Sequence, residues 1–104
     1  MLDINIEFRK GILFIRLNGT LDKFTMDGLE HINSLIIDNK VKNTVFNLDN
    51  LQSYDKKGVS KLYNIYINLI KHNLKCYFIK NNILNNMKIK KIDNELLAME
   101  VLWN

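Results

Sequence analysis

Apolar and polar positions divide this chain into short strand-like runs and two long stripes at helical spacing. Ile4 to Phe8 reads as a first strand, Arg9-Lys10-Gly11 as a tight turn, and Ile12 to Leu17 as a second strand. Glycine supplies the positive φ such a turn needs. Apart from Arg16, the second run is apolar on both faces, which suits a strand covered on both sides. Asn18 to Asp22 is expected to break it. Leu29, Ile32 and Ile36, with Leu35 beside them, then predict a helix from about Thr25 or Met26 to Asp38, closed by Asn39 in the left-handed cap position. Thr44 to Leu48 is a third strand. Val59, Leu62, Tyr63, Tyr66, Leu69 and Ile70 form one stripe of a helix from about Lys56 to His72, with Lys57, Lys61, Asn64, Asn68 and Lys71 opposite, and Asn73 ends it.

Lys75 to Lys80 makes a fourth strand. A short helix near Ile83 to Met87, a strand around Ile89 to Ile92 and a last helix from Glu95 to about Leu102, capped by Asp93, complete the reading. The last helix is expected to pack through Met99, Val101, Leu102 and Trp103. Helices alternating with strands argue a mixed α/β sheet: an N-terminal antiparallel hairpin plus parallel strands, with helices mainly on one face. With 104 residues and no linker-like or repeated segment, one domain over 1–104 is expected.

Composition narrows the function. No apolar run approaches the length needed to span a bilayer, and no start resembles a signal peptide, so cytoplasmic residence without a membrane is expected. A net charge of +4 and the cluster Lys88, Lys90, Lys91 raise nucleic acid as a partner. The other lysines are scattered, and Arg9 and Arg16 are the two arginines, which disfavours it. The single cysteine, Cys76, lies in an apolar run and reads as a buried, inert thiol. His31 and His72 have no Cys or carboxylate set at metal spacing, and neither Ser53 nor Ser60 has a His–acid pair nearby. Asp49 and Asp55 give no reason to expect a catalytic pair. No enzyme, metal or cofactor is expected.

The most informative segment is Tyr54-Asp55-Lys56-Lys57-Gly58, between the third strand and the long helix. Asp55 is a good N-cap, since its carboxylate can accept from the exposed N–H groups of the first turn. Lys56 and Lys57 are poor choices there, because they add positive charge at the positive end of the helix dipole. Departures from a local rule often mark functional sites. Two lysines beside free N–H groups read either as a solvated first turn or as a cationic, partner-facing patch, and they could hold an anion such as a nucleotide phosphate. Phe24 and Tyr54 are aromatic residues in loops at one end of the sheet. They serve either as loop anchors or as the aromatic core of a protein interface.

Ile15-Arg16-Leu17-Asn18-Gly19-Thr20-Leu21-Asp22 followed by Thr25, and Val45 to Leu51 ahead of Tyr54 to Val59, resemble two motifs of the STAS domain, the fold of bacterial anti-sigma factor antagonists. A weaker likeness continues through the apolar strand after the long helix. The resemblance implies a non-enzymatic protein that binds an anti-sigma factor kinase and so regulates transcription by partner switching. In that family the kinase phosphorylates the serine directly after the aspartate. Here that position is Lys56, followed by Lys57, so no phosphorylation is expected there. The expected contact residues are Asp22, Phe24, Tyr54, Asp55, Lys56, Lys57 and Gly58. The alternatives are a phosphorylation-independent scaffold or small-ligand or nucleotide sensor on the same fold, and a basic nucleic-acid-associated protein.

Overall fold

The computed structural model describes residues 1–79 and 87–103. Most of the expected short helix at 83–87, and Lys80, lie outside the described residues. Strand β1 (Leu2–Arg9) pairs antiparallel with β2 (Ile12–Leu21) through a two-residue turn in which Lys10 and Gly11 both take positive φ. That is the backbone a tight hairpin with right-handed twist requires. Strands β3 (Asn43–Asn47), β5 (Lys75–Ile79) and β6 (Lys91–Ile92) add in parallel to give the order β1-β2-β3-β5-β6.

Asn18 to Leu21 do not break β2 but continue it, through an irregularity between Gly19 and Thr20. Gly19 has φ +99°, and a Cβ there would lie 2.3 Å from the Met1 carbonyl oxygen, so the residue that looks like a turn glycine admits a close strand instead. The continued strand is flanked by β4 (Leu51–Tyr54), a short parallel strand not expected from its mostly polar sequence.

The first long helical stripe starts as a 3-10 turn, Met26–Leu29, before α1 (Glu30–Asp38). Its left-handed residue is Lys40, not Asn39, whose side-chain amide instead donates to the Leu35 carbonyl at 2.8 Å. Helix α2 (Lys56–Lys71) ends as expected, with Asn73 at φ +61°. Helix α3 (Glu95–Leu102) is capped by Asn94, one residue beyond the expected Asp93; the Asn94 side-chain oxygen accepts from the Leu97 N–H at 2.8 Å.

The period of two along β2 sorts the core into two layers. Leu13, Ile15, Leu17 and Leu21 face α1 and α2, together with Phe46, Leu62, Leu69, Cys76 and Phe78. Ile12 and Phe14, with Val45 and Ile79, face α3 through Ala98, Met99 and Leu102. The two long helices thus share one face and α3 covers the other. Val45, Phe46, Leu62, Tyr66, Leu69, Phe78 and Ile79 are all buried. Burial pushes the Cys76 thiol pKa up, away from the reactive thiolate. Val101 and Trp103 do not pack α3 as expected: both are exposed, and the Lys10 ammonium sits 4.0 Å from the Trp103 ring centre.

Arg16, the one charged residue among the apolar positions of β2, anchors α3. Its guanidinium donates to both Glu95 oxygens at 2.8 and 2.7 Å, to Asn5 at 2.7 Å and to Glu7 at 2.8 Å, while the Asn47 amide donates to Glu95 at 2.8 Å. Such a two-pronged pair is directional and charge-assisted. Arg16, then Asn47, holds the Glu95 carboxyl below its ordinary pKa near 4.5. A carboxyl lowered in the folded chain contributes stability that is complete above its unfolded pKa and is lost as pH falls through its folded one. The acid limb of the stability–pH profile is therefore expected to be shallower in Glu95→Gln than in the unaltered chain. Urea denaturation at a series of pH values below neutrality measures this, and identical slopes would remove Glu95 from the acid response.

Candidate functional site: the carboxyl end of the parallel strands

In an open α/β sheet the crevice beyond the carboxyl ends of parallel strands is left free by the connections and is where sites are commonly built. Here β2 and β4 end side by side, Leu21 beside Tyr54, so the Asp22–Thr25 loop and the Asp55 junction are brought together. Asp55 joins them. Its N–H donates to the Leu21 carbonyl at 3.2 Å, one carboxylate oxygen accepts from Gly58 N–H at 2.8 Å, and the other accepts from Lys23 N–H at 3.1 Å. The expected cap of α2 is therefore also a cross-link between loops. These N–H donors, Gly58 first, lower the Asp55 pKa, so the carboxylate stays ionised at neutral pH.

The other loop holds itself. Asp22 Oδ1 accepts from the N–H groups of Phe24 at 2.9 Å and Thr25 at 3.1 Å. Thr25 Oγ1 in return accepts from Asp22 N–H at 2.9 Å and donates to the Thr20 carbonyl at 2.8 Å. A loop whose backbone groups are satisfied this way presents its tip in a fixed place. That tip is Phe24, 82% exposed, with the Lys23 ammonium 5.0 Å from its ring centre. Tyr54 is exposed on the neighbouring strand.

Gly58 is buried and serves close packing. A Cβ there would lie 2.4 Å from the Leu21 carbonyl oxygen and 2.8 Å from its carbon, so only glycine lets the first turn of α2 sit against β2. Lys56 and Lys57 precede it on the outside, both exposed, in a first turn with no acidic residue. Among the described residues no carboxylate pairs with either ammonium. They border a shallow depression of about 290 Å³ with Met26, Ser60, Lys61 and Asn64. Lys61 turns inward to pair with Glu30 of α1.

Asp22, Phe24, Tyr54, Asp55, Lys56, Lys57 and Gly58 thus lie at one end of the sheet, with Asp22, Asp55 and Gly58 as scaffold and the two rings and two ammonium groups as surface. Sequence reasoning missed Lys23, whose backbone N–H closes the Asp55 bridge, and named Thr25 only as a motif residue, not as the lock of the loop. The spacing of Asp22 and Thr25, an aspartate three residues before a threonine at a strand end, is the local signal for the latter. Ser53 faces Thr20, their hydroxyl oxygens 2.7 Å apart, and Ser60 is exposed on α2. His31 and His72 are exposed, and the His72 ring lies 2.8 Å from the Asn68 carbonyl oxygen. No group of three or more His, Cys, Asp or Glu side chains is placed to hold a metal ion among the described residues. Nor is any described helix long and apolar enough to cross a membrane.

The model of one family, the STAS domain, matches residues 3–93. No curated protein matches the sequence. Among solved structures, an anti-sigma factor antagonist from Mycobacterium paratuberculosis superposes with a TM-score of 0.81 at 13% identity, over 100% of this chain and 96% of that one. The anti-sigma factor antagonist SpoIIAA in its unphosphorylated form gives 0.75 at 16% identity, over 94% of each chain. The phosphorylated form of the Bacillus cell fate determinant SpoIIAA gives 0.76 at 15% identity, over 96% of this chain and 99% of that one.

Proposed function

The chain belongs to the STAS domain family, and from that premise we propose that it is a non-enzymatic, cytoplasmic regulatory module, one domain over 1–104, that binds an anti-sigma factor kinase or a similar regulatory protein. Its contact surface is the sheet end bearing Phe24, Tyr54, Lys56 and Lys57. The observation that carries this reading is the Asp55 bridge. One carboxylate fixes the Asp22–Thr25 loop and the start of α2 relative to each other, so the exposed rings and ammonium groups form a preorganised patch. Preorganisation reduces the ordering cost of association, and aromatic residues suit interface cores. The partner face that fits two ammonium groups at a helix N-terminus, unpaired among the described residues, is acidic.

Lys56 stands where the family carries its phosphorylated serine, so we read this chain as held in a partner-competent state without a phospho-switch at that position. Charge reversal tests the surface. Lys56→Glu is expected to weaken binding to the partner at least tenfold, through like-charge juxtaposition, while Lys91→Glu on β6 changes it less than about twofold. Isothermal calorimetry with both variants reads this directly. Equal effects would place the interface elsewhere.

A further inference from the structure

We propose that the outer edge of β1 docks a second copy of this chain, the two β1 strands running antiparallel about a two-fold axis at Ile6 and joining two sheets into one. Among the described residues β1 is the outermost strand beside β2, at the opposite side of the sheet from β6. The Thr20 N–H donates to the Met1 carbonyl at 3.0 Å, which fixes the phase of the hairpin. In an antiparallel pair the bonded positions alternate, so with the register Leu2↔Gly19 to Arg9↔Ile12 the odd residues of β1 turn their backbone groups to β2. Leu2, Ile4, Ile6 and Phe8 turn theirs outward.

That edge carries charged side chains, Asp3, Glu7 and Arg9, but none of the backbone guards against pairing. It has no proline and no bulge in its eight residues. Ile6 is 43% and Phe8 63% exposed, and Leu35 of α1, 42% exposed, shares with Phe8 an open groove of about 600 Å³. Apolar surface therefore continues from the strand onto the helix above it.

Among the registers that pair at least five residues of β1, the sequence matches itself in one. Centred on Ile6, Ile6 meets Ile6, Ile4 meets Phe8, Asn5 meets Glu7 and Asp3 meets Arg9. The outward backbone groups of even residues then face each other, apolar side chains share one face, and opposite charges are opposed twice on the other. Opposite charges across an antiparallel pair favour it and like charges oppose it. Glu7 is paired within its own chain with Arg16, which it shares with Glu95, and with Arg9 at 3.7 Å. Centring on Asn5 sets Asp3 against Glu7, centring on Glu7 sets it against its own copy, and centring on Ile4 sets Asp3 against Asn5, so none of the three opposes Asp3 to Arg9. The axis at Ile6 lies beside Ile15, away from Asp55, while the Leu2 end of β1 runs beside Gly19 toward the Asp55 end of the sheet.

Analytical ultracentrifugation of the full chain, up to about 1 mM, and residue-resolved amide exchange test the proposal. The expected result is a dimer in which Ile4, Ile6 and Phe8 amides gain protection with concentration, while Asn5 and Glu7 amides are protected throughout. Ile6→Lys, which opposes two ammonium groups at the axis, is expected to weaken association at least tenfold. Asp3→Arg weakens it too, and Asp3→Arg combined with Arg9→Asp restores it to within about threefold. A chain that is monomeric at every concentration would overturn the proposal, as would a dimer with unchanged exchange at Ile4, Ile6 and Phe8. So would failure of the charge swap to restore an association that the single change weakened. The exchange measurement uses the unaltered chain and decides the matter even where a variant fails to fold.

Discussion

Changing Lys56 and Lys57 together to serine is expected to create a substrate for an anti-sigma factor kinase that binds this chain, and with it an off-state. The unaltered junction offers no hydroxyl at either position. Asp55 would still cap α2 through Gly58 N–H, so the fold of the junction is retained. A phosphate at the first turn carries about −1.5 to −2 charge, and two positive charges are lost with the lysines. The swing is about four charges at the rim of the proposed acidic contact. Free N–H groups of the first helical turn would hold the phosphate in place. Binding of the phosphorylated double variant is expected to fall at least a hundredfold, by the several kcal/mol that misplaced like charge costs in an interface. Mass spectrometry after incubation with kinase and ATP locates the phosphate, and calorimetry follows the binding. A phosphate on Ser53 or Ser60 of the unaltered chain that abolishes binding would show instead a switch moved along the sequence.

Leu62→Ala is expected to cost about 2–5 kcal/mol of folding stability. Leu62 is fully buried on the inner stripe of α2, in the layer shared with Leu17, Leu21, Phe46 and Leu69. Truncation removes the transfer energy of the lost carbons and leaves a cavity, since the strands beneath and α1 alongside leave little room to collapse. Leu96 on α3 is 73% exposed, so Leu96→Ala should stay within about 0.5 kcal/mol. Urea denaturation of both variants measures the contrast. A loss below about 1 kcal/mol at Leu62 would place α2 off the core.

What was legible in the sequence follows periodicity and local chemistry. The double-sided apolar run Ile12 to Leu17 gave away a central strand with cover on both faces, and both core layers are built on it. Asp55 and Asn73 announced the ends of α2 because caps depend on the residue itself. β4 was not legible, because Leu51 to Tyr54 is a short, mostly exposed strand whose pairing depends on how far β2 continues. That continuation was hidden by Gly19, which looks like a turn glycine but makes room for the Met1 carbonyl. Arg16 signalled that some partner must exist in an apolar strand, but nothing local names Glu95, 79 residues away. For the same reason the candidate residues could be assigned to one end of the sheet, while the Lys23 N–H to Asp55 bond could not: it exists only once β2 and β4 lie side by side.

The central claim is that the partner seats on the end of the sheet where Asp55 joins two loops. Titrating the isotope-labelled chain with its partner and following backbone amide signals by NMR tests this most directly. Signals of Phe24, Tyr54, Asp55, Lys56, Lys57 and Gly58 are expected to shift or broaden first and most, while Ile6 on β1 and Leu96 and Val101 on α3 keep theirs. Perturbation concentrated on β1 or α3, with the Phe24 and Lys56 signals unmoved in the saturated complex, would contradict it.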